Sequence, residues 1–531
     1  MNRMNTKMGS AVLESLRIAV VSGAMLLALG AQAATPGVTK IPNGTATSTF
    51  NLVAGAGHIT QPDGAQIYSW GYGCPTGSVP TFVPFAGNCP TMQIPGPNMI
   101  VTEGQTVTVT LTNNLPVGAG NTSILFPDFQ VSASGGSPGL HASEATPGGT
   151  VTYTFVASTP GTHAYYSGTQ PDLQIEMGMY GAIVVLPKTP PANCTALNGY
   201  ASGRTDYRLS PAAYDHAATC YDREYLWQFA ELSQQVHQQA ETQVNAIKNC
   251  TPATAILPCP TTLNVAIEPY HPSYFLINGR SMPDDMDPDY VPNYPNQPYN
   301  GNPHMHPLDL VLLRVIGQGR WEHPFHEHGN HVRILARDGH LIVSQTDPTK
   351  LAGPLLFTTD TFPGQAFDGI FYWSGKGLNW DIYGHTPGNP NNPPCNPDAN
   401  GYYTVNSSPP APATAPNYGE WCADHNHPLE ANPVGAVGAG GPATTPDPLI
   451  MTNGLWYNGT PYLGQDAVNR ARGPTPLPPG GALQNPPAES GIAFMWHSHN
   501  EREITTNDVF PGGMLMMMLV DPQTWFIDET L

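Results

Sequence analysis

The chain has 531 residues, enough for about two to four domains of ordinary size. Its 39 acidic residues outnumber 19 basic ones, for a net charge of −20, which argues against nucleic acid or an anionic membrane surface as partners. Charged residues make up only 11% of the chain, while 58 prolines and 55 glycines point to many loops.

At the N-terminus, Lys7 and Arg17 precede the apolar run IAVVSGAMLLALG, which ends at the small-residue sequence Ala31-Gln32-Ala33. This predicts a secretory signal peptide over 1–33, too short in its apolar core to span a bilayer. No later stretch resembles a membrane span, so the expectation is an exported protein, periplasmic or extracellular. Short β-branched runs then alternate with turn residues: MIVTEGQTVTVTLTNNL (99–115), GTVTYTFVAS (149–158) and YGAIVVLP (180–187). That pattern predicts an all-β sandwich over 34–190, followed by a Cys-containing linker over 191–221. The segment 233–249 reads as a helix, with Val236, Ala240, Val244 and Ile247 on one stripe and Ser233 at the cap.

A second β series runs through LDLVLLRVIGQG (308–319), HVRILARDG (331–339), FDGIFYWSG (367–375) and GGMLMMMLVDP (512–522), giving a second sandwich over 222–531. It is interrupted at about 378–490 by an insertion rich in Pro, Gly and Asn, a composition that forms loops rather than a core. All eight cysteines lie in loop-like segments, and an even count in an exported chain reads as disulfides. Nearest-neighbour pairing gives Cys74–Cys89, Cys194–Cys220, Cys250–Cys259 and Cys395–Cys422. The two β series also align as a repeat: residues 164–187 match 495–522, with Tyr166 and Gly168 standing where His497 and His499 stand.

Histidines carry the chemical signal. In HPFHEHGNH (323–331), His326 and His328 are two apart and share a strand face, while His323 is offset by an odd number. In FMWHSHNERE (494–503), His497 and His499 again share a face. Packing alone is a poor account of two such pairs, and imidazole-only ligation favours copper, zinc, iron or nickel over magnesium or calcium. Elsewhere, His304 and His306 of NPHMHP, and His425 and His427 of DHNHP, read as surface residues, with an accessory metal site as the alternative. His331 reads as structural. Met514, Met516, Met517 and Met518 cannot all converge from one strand, so they are assigned to core packing rather than to Cu(I). Glu501 or Glu503 could complete a metal shell, although acidic residues after a motif are more often solvated or hydrogen-bonded.

The motif H-P-x-H-x-H-G, matched in full from His323 to Gly329, resembles the third histidine motif of the multicopper oxidases. LINGR (276–280), Asp338-Gly339, Asp360-Thr361, Pro363-Gly364-Gln365 and Asp368 fit the same family pattern. The resemblance implies two cupredoxin-like Greek-key sandwiches and a copper cofactor. Carried over by motif, His323 would ligate a type 1 (blue) copper, His326 and His328 a trinuclear cluster, and His497 and His499 its type 3 pair. The fourth motif departs from H-C-H-x-x-x-H, since Ser498 replaces the cysteine and Glu503 the last histidine. The first sandwich reads LFPD (125–128) and AYYSG (164–168) where the family has H-W-H-G and W-Y-H-S-H. Set against AYYSG, the His497-Ser498-His499 stretch is also similar to the H-S-H form of the second motif. The expectations are therefore an exported copper-binding protein that retains oxidoreductase chemistry with O2, a non-catalytic copper sequestration or delivery protein, or a sandwich with relic histidines. The resemblance further implies a small-molecule or metal-ion electron donor, and association with copies of itself or with a partner protein.

Overall fold

The computed structural model describes residues 35–41, 49–194, 206–251, 258–376, 394–423, 459–462, 491–523 and 527. The predicted signal peptide, His425 and His427, and most of the insertion lie outside them.

Two five-stranded sheets build the first sandwich. One runs in the order Thr81–Val83, Gly37–Lys40, Met99–Thr102, Tyr180–Leu186, Gly161–Tyr166; the other Gln66–Gly73, Thr49–Thr60, Thr106–Asn113, Thr150–Val156, Ser132–Gly135. Along Thr106–Asn113 the valines and Leu111 are buried while the threonines alternate outward, the period-2 signature of a half-buried strand. The predicted run 99–115 divides into two strands, because Gly104 turns the chain at φ +81°. Val101, Ile183 and Val185 of one sheet meet Val109, Leu111 and Tyr153 of the other in a single core.

The second sandwich repeats this plan. Its first sheet follows Tyr274–Ile277, Arg223–Leu232, Val311–Gly317, Ala366–Phe371, Val332–Arg337, His340–Leu341, with Leu355–Leu356 also paired to Val332–Arg337. Its second follows His304–Met305, Leu515–Val520, Gly491–Ser498, His323–Glu327, Thr358–Thr361, with Gly459–Tyr462 added to Gly491–Ser498. In both halves a long first strand pairs in parallel with the third in its sheet (Thr49–Thr60 with Thr106–Asn113, Arg223–Leu232 with Val311–Gly317). In both, the closing hairpin is antiparallel. The repeat read from sequence is thus present as matching topology.

The halves are pressed together. All ten residues of Arg223–Leu232 are buried, because the strand packs on both faces. Tyr225, Trp227 and Phe229 enter the second core, whereas Ala230 and Leu232 meet Ile59, Ile94 and Tyr180 of the first sandwich. Asp368 accepts hydrogen bonds from the Thr162 hydroxyl (2.6 Å) and backbone N–H (3.1 Å), tying a second-half strand to a first-half one. The helix forms over Gln234–Asn249, and Val236, Ala240 and Val244 pack into the first sandwich's core. Ser233 occupies the cap position, but its side chain makes no capping hydrogen bond.

All four expected disulfides form. Within the described part of the insertion, Tyr403, Ala411 and Tyr418 gather around Cys395–Cys422 as a small satellite cluster, more order than its composition predicted. One further expectation changes. His304 and His306 are buried rather than superficial: His304 Nδ1 lies 2.8 Å from Asp521, and Arg223 donates to His306 Nδ1 at 2.9 Å. The methionines are as expected: Met514, Met516 and Met518 pack in the core, whereas Met517 points the other way and is half-buried, so the four do not converge.

Candidate metal centre

The strand His323–Glu327 pairs antiparallel with Gly491–Ser498, with His326 directly opposite His497. That register brings four predicted ligands together, two from each segment. Ring centroids lie 4.6 Å apart for His326–His328, 4.9 Å for His326–His499, 5.2 Å for His328–His497 and 5.3 Å for His497–His499. Phe357 stands edge-on to His326 at 5.6 Å and walls one side, itself 41% exposed. His328 and His497 are buried, while the His499 side chain is half exposed, so the cluster opens to the surface through His499.

The surroundings hold three of these rings, His326, His328 and His497, neutral. Burial lowers the His326 pKa to about 4, with His499 and His497 adding to the effect, and lowers His328 to about 3. Burial also lowers His497, which donates from Nδ1 to the Ser498 carbonyl at 2.8 Å. A carbonyl acceptor fixes that tautomer and leaves Nε2 as a lone-pair donor. His326 Nδ1 lies 2.8 Å from the Thr358 hydroxyl, and in the tautomer where Nδ1 donates to that oxygen its Nε2 is left for a ligand.

The donor set fits copper in kind, since neutral imidazole is a good ligand for it. One pair fits in spacing as well: Nε2 of His328 and Nε2 of His497 are 3.3 Å apart. Two nitrogens bound tetrahedrally to one ion at about 2.0–2.1 Å lie about 3.3 Å apart. Among the described residues, no three His, Cys, Asp or Glu side chains are arranged to hold a single ion as they stand. The other two rings therefore line the pocket without yet converging on that pair.

His323, the fifth predicted ligand, is not brought to the other four. Its ring is fully buried between two carboxylates, Glu503 at 2.9 Å from Nδ1 and Glu231 at 3.1 Å from Nε2. Burial alone would depress its pKa, but the hydrogen bonds to Glu231 and Glu503 outweigh it and raise the value to about 9. A ring with a carboxylate on each nitrogen is a double N–H donor, so His323 presents no lone pair. Glu503 also accepts from the Ser498 hydroxyl at 2.6 Å, so the three residues that the motif assigns to type 1 copper do meet, but as a hydrogen-bonded cluster. The expectation that His323 ligates copper is not met by this arrangement. Glu501 stays at the surface beside His499 at 3.7 Å, and His331 packs on Phe357.

The sequence reading missed Glu231 and Thr358. Glu231 had a signal: it is an acidic residue inside the apolar run YLWQFAEL, at a position that is buried whichever face is inward.

In the first sandwich the equivalent strands meet at the Leu125–Tyr166 bridge, where the second has His326–His497. Leu125 fills the space over Gly168, where an added Cβ would come within 2.8 Å of its side chain. Apolar packing has replaced ligands on that side.

Residues 90–190 match the multicopper oxidase family. Laccase-1 of Emericella nidulans is 34% identical over 113 residues, 20% of this chain and 17% of that protein. Multicopper oxidase MCE of Talaromyces pinophilus is 33% identical over 99 residues, 18% and 16% of the two chains. The matched stretches thus span less than a fifth of these relatives. Among solved structures, the blue copper oxidase from Nitrosomonas europaea aligns with a TM-score of 0.44 at 14% identity, over 88% of this chain and 85% of that one. The chain is thus similar to multicopper oxidases over residues 90–190, and in its His497–His499 segment a serine stands between the paired histidines.

Proposed function

We propose that the chain is an exported copper-binding protein that holds copper through His326, His328, His497 and His499. The observation that carries this reading is the clustering of four imidazoles from two hydrogen-bonded segments, three of them kept neutral by burial, with His328 and His497 already at the spacing of two ligands on one ion. Copper is the cofactor of this family, and when bound it supplies one-electron redox chemistry. The chain's own part is to keep the imidazoles of His326, His328 and His497 neutral, to fix the His497 tautomer through the Ser498 carbonyl, and to shield one side with Phe357. Four disulfides support export to an oxidising compartment.

Oxidoreductase activity with a phenolic or metal-ion donor and O2 is the catalytic form of this proposal. Sequestration or delivery of copper is the second reading, and the carboxylate-bound His323 favours it. Metal analysis with optical and EPR spectra on the purified protein, beside an O2-consumption assay, tests both. Stoichiometric copper with donor-dependent O2 uptake supports the oxidase, and copper without uptake supports storage. Copper well below one per chain after reconstitution overturns both.

A further inference from the structure

His326 and His497 are held by the strand ladder, where they face each other. His328 lies beyond it: the paired strand ends at Glu327, and residues 328–330 form a bend that carries the chain across to Val332 in the other sheet. A second device seats this ligand. The Trp496 indole N–H donates to the His328 carbonyl at 2.7 Å. Trp496 immediately precedes His497 and pairs with Glu327, which immediately precedes His328, so one side chain joins the two ligand segments where the ladder stops. The indole is fully buried, edge-on to Trp227 at 5.7 Å and to Phe371 at 4.8 Å, both on strands of the facing sheet. Next to it, Phe494 closes on the bend: Gly329 has φ +102°, and a Cβ there would stand 3.1 Å from the Phe494 ring. Side chains two apart share a strand face, so Phe494 and Trp496 support the bend from the core side while His497 faces the cluster.

We infer that Trp496 is a positioning residue of the four-histidine cluster, its indole N–H fixing the His328 backbone so that the His328 and His497 rings keep their 3.3 Å separation. Ligand rings must be held to within about 0.5 Å of a productive geometry, and a side chain locked by core packing supplies that where the ladder does not. A buried carbonyl that loses its donor is costly, so the bend shifts to find it another partner. The inference deepens the copper-binding reading and rests on it for the loaded protein, while its metal-free test stands without copper.

Two replacements remove the donor. Trp496→Phe keeps an aromatic ring, and β-(3-benzothienyl)alanine at position 496 keeps the bicyclic shape with sulfur in place of N–H. In the metal-free full-length protein, 15N-histidine spectra are expected to show the ring signals of His328 and His497 displaced and those of His323 unmoved. Cu(II) affinity, read by chelator competition, is expected to fall about ten- to a hundredfold, with a changed copper hyperfine coupling in EPR. A tryptophan that only fills the core would lower the melting temperature and leave ring signals, affinity and hyperfine coupling at their wild-type values, and that result overturns the inference. If Trp496→Phe does not fold, the isosteric replacement decides by the same readouts. Wild-type protein that binds no copper overturns the copper-binding reading alone, and the metal-free ring signals then decide for Trp496.

Discussion

His323 Nδ1 and Glu503 Oε2 lie 2.9 Å apart with both side chains fully buried, an ion pair in place of a metal–ligand bond. Buried pairs are costly to assemble, and breaking one by removing a partner leaves an uncompensated charge worth about 3–5 kcal/mol. Glu503→Gln and Glu231→Gln are each expected to destabilise the fold by roughly that amount. Urea unfolding reads the change, and a shift under about 1 kcal/mol would mean the pair carries little net energy.

The same node gives the protein an alkaline limit. The His323 pKa is raised from 6.5 to about 9, so its contribution is complete below 6.5 and is lost as pH rises through about 9. Glu176 acts in the same direction: burial raises it from 4.5 to about 8, so its contribution is complete below 4.5 and is lost as pH rises through about 8. Melting temperatures are expected to fall between neutral and strongly alkaline pH, with a shallower fall in Glu176→Gln. Equal slopes for the variant and the wild type would remove Glu176 from this account.

Copper is expected to raise the melting temperature of the wild-type protein, because a ligand that binds only the native state stabilises it, by about 2.7 kcal/mol at a hundredfold excess over Kd. His326→Ala/His497→Ala deletes the two rings that face each other across the strand pair and is expected to abolish the shift. Differential scanning calorimetry with and without Cu(II) makes the comparison. A copper shift retained in the double variant would place the bound metal elsewhere.

Met516 separates packing from metal trafficking. It is fully buried in the second core between Met514 and Met518, so Met516→Ala is expected to cost about 2–5 kcal/mol through the cavity left behind. Copper content should not change. A variant that keeps its stability but loses copper would revive the thioether reading.

Asp368 joins the two sandwiches by accepting from Thr162 and standing 3.6 Å from the buried guanidinium of Arg314. Asp368→Ala leaves that cation with Glu224 as its close carboxylate partner and is expected to cost about 3 kcal/mol. Because the link is between halves, a separate early unfolding transition of the first sandwich is expected in calorimetry. A single transition at the wild-type temperature would show that the apolar contacts alone hold the halves together.

Much of this protein is legible in its amino-acid order. Alternation along Thr106–Asn113 fixes which residues face inward, because a strand's side chains repeat every two residues. Cysteine spacing predicted the four disulfides, and the His-x-His pairs, by the same period, named the four rings that now surround one space. What each of those groups meets depends on the folded chain. His304 and His306 sit in a Pro-rich stretch that reads as surface, yet partners more than eighty residues away bury them: Asp521 for the first and Arg223 for the second. His323 belongs to the same nine-residue motif as His326 and His328, but its odd offset turns it to the other face. There Glu231, 92 residues earlier in the chain, and Glu503, 180 residues later, take its two ring nitrogens. Local pattern sets the direction in which a side chain points; the partner it finds is set by long-range strand pairing, which no short motif encodes.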